Sequence, residues 1–244
     1  MMENKRHIFT LSLALLLLSS MTVSAKCTTS VSKGAFIYAV GSSTLGSPLG
    51  GQLETALKKE GFKFRKWAKA SSGLARPDFH DWPAQLPKID KEWSPDVYIV
   101  SLGTNDYQAL WHKKKWIKHQ EKERWIDAYT KRVDQMLALA AGKRKQRLVV
   151  WIGPVPFNTP KGRNMSLRIN RIIKNRIKAF DGNAVFIDVR QKLMARKRPI
   201  TTFKDGRGKT RKTYRKDNVH LTIAAVKHLM TQRVVDAIIA CRKP

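Results

Sequence analysis

The sequence predicts an α/β protein, a single three-layer α/β/α domain on a five-stranded parallel sheet. Three observations predict it: short apolar runs that end in glycine or polar turns, amphipathic stretches between those runs, and enough apolar residues for one core. The chain has 244 residues, 42% of them hydrophobic, which is ample for one domain. Strands that alternate with helices require crossover connections, and a parallel sheet covered on both faces buries the apolar side of every element.

Ala35-Phe36-Ile37-Tyr38-Ala39-Val40 is an apolar run that stops at Gly41, as a buried strand does on entering a turn. A helix is expected over 49–59, terminated by Gly61, and 63–70 reads as a second, more polar strand. A third strand over 96–102 and a fourth over 146–152 bracket a helix over 121–141. In that helix Trp125, Ala128, Tyr129, Val133, Met136, Leu137 and Ala140 recur at helical spacing. Residues 165–180 place Ile169, Ile172, Ile173, Ile177 and Phe180 on one face, with Arg168, Arg171, Lys174 and Lys178 mostly turned away, so they read as an amphipathic crossover helix. A fifth strand over 184–189 and a last helix over 221–240 complete the pattern.

Charge is the abnormal quantity. The chain carries 48 Lys plus Arg against 18 Asp plus Glu, a formal net charge of +30 and a sequence pI near 10.5. Such a field concentrates anions and implies a polyanion nearby. The 14 Gly and 10 Pro are scattered, so neither a collagen-like nor a low-complexity chain is indicated. No nucleic-acid-binding module is recognisable, and nucleic acid is not expected as a partner.

The first 25 residues carry Lys5, Arg6 and His7, then an apolar run from Ile8 through Leu18, then Val23-Ser24-Ala25 with small residues at both cleavage-determining positions. This reads as a secretory signal peptide cleaved after Ala25, ahead of one domain over 26–244. The apolar core is short for a membrane anchor, no later run could span a bilayer, and Lys26 separates Ala25 from Cys27, which argues against a lipoprotein. An exported protein, periplasmic or secreted, is the expectation. The two cysteines, Cys27 and Cys241, stand near opposite ends of the exported chain, where an oxidising compartment would let them staple the termini. Neither has a metal-ligand spacing and the six His are dispersed, so neither metal nor cofactor is expected.

Four polar turns converge where the strands of such a sheet end. Val40-Gly41-Ser42-Ser43-Thr44-Leu45 follows the first strand, Ser71-Ser72-Gly73-Leu74 the second and Leu102-Gly103-Thr104-Asn105-Asp106 the third; Asp217-Asn218-Val219-His220 precedes the last helix. A hydroxyl becomes a nucleophile at neutral pH only beside a base, and an imidazole needs a partner that fixes its tautomer. Ser43, His220 and Asp217 supply these groups, while the backbone N–H groups of Ser43 and Gly73 and the Asn105 amide supply donors for an oxyanion. Each block alone is ordinary turn chemistry; the four together, in order, carry the signal.

In these blocks the sequence resembles the SGNH (GDSL-type) hydrolase superfamily: a GDS turn, a glycine, a GxND turn and a DxxH near the C-terminus. The resemblance runs from about Ala35 to His228. Arg76-Pro77-Asp78-Phe79-His80-Asp81-Trp82-Pro83 resembles an exported bacterial branch of it. It implies a flavodoxin-like fold, with Ser43 as nucleophile, Gly73 and Asn105 completing the oxyanion hole, His220 as base and Asp217 orienting it. One position departs from the pattern, since Ser42 stands where the family has aspartate. Ser42 is thereby a second hydroxyl in the turn; Ser43 is preferred because it holds the third position of the block, at the start of a helix.

Two basic runs flank these blocks. Residues 196–216 hold ten Lys or Arg against Asp205 alone, and Lys209, Arg211, Lys212, Arg215 and Lys216 lead straight into Asp217. They form either a positive lip that steers an anionic substrate or a solvated mobile loop. The run from His112 to His119 carries Trp116 and follows Trp111. These indoles, like Trp82 and Trp93, either stack on substrate or, as Trp at helical spacing more commonly does, belong to the core.

The sequence thus reads as an exported serine esterase acting on an acylated envelope glycan, with the basic charge suited to an anionic one. A non-catalytic polyanion- or glycan-binding protein, an O-acyltransferase and a lipid or thioester hydrolase remain alternatives.

Overall fold

The computed structural model describes Cys27, residues 30–143 and residues 145–242; residues 1–25, read above as a signal peptide, lie outside the described residues. Five parallel strands, β1 (Phe36–Gly41), β2 (Lys63–Ala68), β3 (Val97–Ser101), β4 (Leu148–Ile152) and β5 (Ala184–Ile187), pair in the order β2-β1-β3-β4-β5. This is the flavodoxin-like order. Chain direction across the sheet reverses between β1 and β3, so the loops leaving these two neighbours diverge and open a crevice at the carboxyl edge.

Period-two alternation divides the side chains of the central strands between two cores. Ile37, Ala39, Val97, Ile99, Leu148 and Val150 face one cluster, while Tyr38, Val40, Tyr98, Val100, Val149 and Trp151 face the other. On the first face lie α1 (Gly50–Lys59) and the C-terminal helical segment, Ile223–Val226, Lys227–Thr231 and Gln232–Ile239, which continue into one another through a π-type turn. The second face is covered by α2 (Trp82–Trp93), α3 (Lys122–Ala141) and α4 (Pro160–Ala179). Thr159 caps α4 by accepting the Gly162 N–H at 3.3 Å, so the helix starts a turn earlier than its apolar stripe does.

Helix α2 is the element that periodicity does not disclose. Pro83 and Pro87 interrupt its pattern, but Pro83 occupies the first turn, where the missing N–H costs nothing, and Trp82, Leu86 and Ile89 still share a buried face. Trp82 is fully buried, in keeping with the core reading.

Trp111 and Trp116 correct the expectation of helical spacing and a core position. They pair across an antiparallel hairpin, Leu110–His112 with Lys115–Ile117, whose turn residues Lys113 and Lys114 both have positive φ. Trp116 is 45% exposed. The basic run over 196–216 is likewise ordered: Met194–Ala195 pairs with Arg198–Pro199, and Thr202–Lys204 with Thr210–Lys212.

Cys27 and Cys241 form a disulfide with Cα atoms 5.4 Å apart, across a sequence separation of 214. Val31 adds to this closure through its N–H to the Cys241 carbonyl, and Arg242 donates to the Glu60 carbonyl at the end of α1. In the chain-entropy account a loop of this size removes about 5 kcal/mol of freedom from the unfolded chain. Among the described residues no helix is long and apolar enough to cross a membrane.

Candidate active site

Gly41 ends β1 against β3, where a Cβ would stand 2.7 Å from the Ser101 carbonyl oxygen, so the turn begins at a position that only glycine fills. Ser42 then fixes the turn with its backbone. Its N–H donates to the Ser101 carbonyl at 3.2 Å, and its own carbonyl accepts the N–H groups of Leu45 and Gly46, each at 3.0 Å. The Ser42 side chain is fully buried, and its hydroxyl has no hydrogen-bond partner. Ser43, one residue on, is half-buried and reaches out of the turn, its Oγ lying 2.9 Å from His220 Nε2.

His220 comes from a turn tied to itself. Arg215 N–H donates to the His220 carbonyl at 2.8 Å and Asn218 N–H to the Arg215 carbonyl at 3.1 Å, with Asn218 in the left-handed region that asparagine tolerates. The Asp217 carboxylate spans the same turn: Oδ1 accepts the N–H groups of Val219 (2.9 Å) and His220 (2.8 Å), and Oδ2 lies 2.9 Å from His220 Nδ1. This explains the spacing of the motif, since an aspartate three residues ahead of a histidine can hold both the backbone and the ring. Partial burial pushes the Asp217 carboxyl up, but the two backbone donors and the imidazole outweigh it and leave it at about 2. An ionised Asp217 accepts a hydrogen bond from Nδ1–H, which leaves Nε2 as the acceptor facing the Ser43 hydroxyl.

The second and third turns are locked together by a residue to which sequence reasoning gave no role. Asp106 is fully buried; its Oδ1 accepts the Ala75 N–H and its Oδ2 the Tyr129 hydroxyl, both at 2.8 Å. Burial pushes its carboxyl up, opposed by the Ala75 and Leu74 backbone donors and by Tyr129. Gly73 lies flat against this carboxylate: a Cβ there would sit 2.0 Å from Asp106 Oδ1. The side chain of Asn105 donates to the Ser72 carbonyl at 2.9 Å. Since a primary amide has two N–H donors, one remains to aim elsewhere. Asp106 therefore sets the distance between the Gly73 and Asn105 turns. Its position next to Asn105 in the block is the sequence feature that marks it; its burial against Gly73 is visible only in the structure.

The five basic residues expected near the substrate are all exposed, and the structure divides them. Lys212, Arg215 and Lys216, with Tyr214 and Asn218, line a cavity of about 380 Å³ on the Asp217 turn. Arg211 instead pairs with Asp205 at 2.8 Å, and Lys209 lies in the hairpin turn, where its N–H donates to the same carboxylate. The Arg211 guanidinium, helped against desolvation by the Arg207 and Lys209 backbone donors, lowers the Asp205 carboxyl to about 2. Its support of the hairpin is thus complete above the ordinary carboxylate range, near 4, and is lost as pH falls through about 2. Hydrogen bonds from Thr222 N–H to the Thr213 carbonyl and from Thr222 Oγ1 to the Lys212 carbonyl carry the hairpin into the His220 turn. Among the described residues no three His, Cys, Asp or Glu side chains converge as metal ligands would.

Solved structures with this architecture include proteins described as esterases and as a GDSL-like lipase. A protein assigned as a GDSL-like lipase from Parabacteroides merdae is 15% identical and has a TM-score of 0.55, covering 85% of this chain and 97% of its own. Est24, a carbohydrate acetylesterase from Sinorhizobium meliloti, is 14% identical at a TM-score of 0.55, covering 84% and 99%. Axe2, an acetylxylan esterase from Geobacillus stearothermophilus, is 15% identical at 0.52, covering 86% and 96%. At such identities the likeness is one of fold. No curated protein sequence matches. The profile of the family described as "Protein of unknown function (DUF459)" matches residues 36–237, most of the chain; the protein belongs to that family, and its fold is that of the SGNH (GDSL-type) hydrolases.

Proposed function

We propose that the protein is an exported serine esterase that removes O-acyl groups from a cell-envelope polysaccharide. The observation that carries this reading is the continuous relay from Ser43 Oγ to His220 Nε2 and from His220 Nδ1 to Asp217, with both links at 2.9 Å. Ser43 Oγ attacks the ester carbonyl as His220 takes its proton, and Asp217 stabilises the imidazolium. The carbonyl oxygen becomes an oxyanion that the Ser43 and Gly73 N–H groups and the Asn105 amide receive. His220 returns the proton to the departing sugar oxygen, and water repeats the sequence to release the acid and restore Ser43. A sugar hydroxyl in place of that water makes the same relay an acyltransferase.

A glycan substrate is supported by the fold shared with a carbohydrate acetylesterase and an acetylxylan esterase. An anionic one is supported by the net charge of +30 and by the Lys212, Arg215 and Lys216 cluster beside the Asp217 turn. Export rests on the signal-like residues 1–25 and on the disulfide.

The test compares p-nitrophenyl acetate, O-acetylated xylan and pectin oligosaccharides, and p-nitrophenyl dodecanoate as substrates for the mature protein. The reading expects acetate release from the sugars with kcat/KM at least tenfold above that for the dodecanoate ester. Preference for the dodecanoate ester, or folded protein that hydrolyses none of them, contradicts it.

A further inference from the structure

Well-exposed large apolar side chains are few here, and they are not scattered evenly. Among the described residues they are Phe79, Tyr107, Trp116, Leu167 and Ile223; Phe79 and Tyr107, 48% and 39% exposed, share a cavity wall with Asn105, and Trp116, 45% exposed, lies beside Arg76 of the same wall. Phe79 and Tyr107 line an open cavity of about 330 Å³ with Ser71, Arg76, Asn105 and Gln108. That volume lies at the lower end of small-ligand sites. Asn105, whose amide belongs to the proposed oxyanion hole, is thus also part of the cavity wall, so a group seated in the cavity adjoins the reacting carbonyl.

Two of the three rings pack against neighbouring rings. Tyr107 packs edge-on against Phe157 with ring centroids 5.0 Å apart. Trp116 packs against Trp111 at 4.9 Å, and the Trp111 N–H donates to the Ala75 carbonyl at 2.9 Å, which fastens the hairpin to the Gly73 loop. The Arg76 guanidinium lies 4.9 Å from the Trp116 ring centre and grips Asp78 with both arms. Gln108 donates to the Asn105 carbonyl at 2.7 Å. Asp78 neutralises Arg76, but Lys69 lies 5.5 Å from the Phe79 ring centre and Lys113, Lys114 and Lys115 stand in the Trp116 hairpin, so this side of the site is basic as well as polar.

Rigid aromatic faces interleaved with amide, hydroxyl and paired-ion edges suit one ligand chemistry. An acyl chain gains from a dry aliphatic trough, and four of the six lining residues here are polar. A pyranose ring presents an apolar C–H face for stacking and hydroxyls around its rim for the polar edges. We propose that Phe79, Tyr107 and Trp116 form a sugar-stacking subsite that seats the alcohol side of the substrate and sets its specificity. This deepens the esterase reading and rests on it for the position of the scissile ester.

Binding is tested separately from catalysis by using Ser43→Ala protein with non-acylated xylotetraose and tetragalacturonate, followed by tryptophan fluorescence and calorimetry. The subsite predicts a millimolar or tighter dissociation constant for at least one sugar, weakened at least tenfold by adding Phe79→Ala or Trp116→Ala. Absence of sugar binding in folded protein, binding untouched by both substitutions, or binding of dodecanoate in place of the sugars overturns it. In the Ser43-containing protein, either substitution should lower the ratio of kcat/KM for acetylated oligosaccharide to that for p-nitrophenyl acetate at least tenfold; an unchanged ratio counts against the subsite. A protein without esterase activity that still binds sugar in this Phe79-dependent way would refute the esterase and leave the subsite standing.

Discussion

Ser43→Ala is expected to lower ester turnover about a thousandfold or more while leaving the fold intact. In the proposed mechanism the Ser43 hydroxyl is the atom that bonds to the substrate, so no neighbouring group replaces it once it is gone, and what remains is substrate binding and oxyanion stabilisation. The side chain is half-buried and its hydrogen bond is to His220, so its loss should change stability by no more than about 1 kcal/mol. Ser42→Ala is the informative comparison. The Ser42 hydroxyl is fully buried without a partner, so its removal should leave turnover within about threefold and stability equal or slightly higher. Turnover of both variants on p-nitrophenyl acetate settles which serine reacts. Loss with Ser42→Ala and retention with Ser43→Ala would reverse the assignment.

Asp106→Ala is expected to be the most damaging single change outside the relay. It leaves the Ala75 N–H and the Tyr129 hydroxyl without their buried acceptor and opens space beneath Gly73. Removing one side of a fully buried polar cluster costs about 3–5 kcal/mol. Turnover should also fall about 10²-fold or more, because the Gly73 and Asn105 turns lose the group that spaces their donors. Tyr129→Phe removes one hydrogen bond and keeps the ring, which stacks on Trp125 with centroids 4.9 Å apart, so it should cost only about 1–2 kcal/mol and keep most of the turnover. Denaturant unfolding alongside turnover checks both variants, and an Asp106→Ala protein of ordinary stability and activity would show that the clamp is dispensable.

Elements written in a simple period were legible in advance. The β1, β3 and β4 runs and the α3 stripe stand within a residue or two of where their apolar spacing puts them, because burial on one or both faces leaves a regular imprint. Helix α2 was hidden because Pro83 and Pro87 disguise a helix whose buried face needs only Trp82, Leu86 and Ile89. Trp111 and Trp116 do not fit a helix face, since positions five apart stand about 140° apart around a helix; they face each other across a two-residue hairpin turn, and that turn is hard to read because Lys113 and Lys114 make it at positive φ, an uncommon choice. In the basic run, order comes from Asp205 gripping two backbone N–H groups and Arg211; a single acid among ten bases gives no hint of that geometry.

For the candidate site, residue types in order were enough to single out Ser43, Asp217 and His220, and the structure brings these three within hydrogen-bond reach of one another. Residue types did not reveal the scaffold. Asp106 looks like one more polar turn residue in the sequence, and only its burial against Gly73 shows that the Gly73 and Asn105 turns are one unit. The same holds for Phe79, Tyr107 and Trp116, which come from three separate segments and become one patch only when Arg76 and Gln108 link those segments.

The central claim is that Ser43 is a nucleophile activated by His220, and a fluorophosphonate probe tests it most directly because only an activated serine displaces the fluoride and keeps the phosphonyl group. Incubated with mature protein and mapped by peptide mass spectrometry, the probe is predicted to add once, on Ser43, and to be lost in Ser43→Ala and His220→Ala. A label on Ser42, or a folded protein that takes up no label, would contradict it.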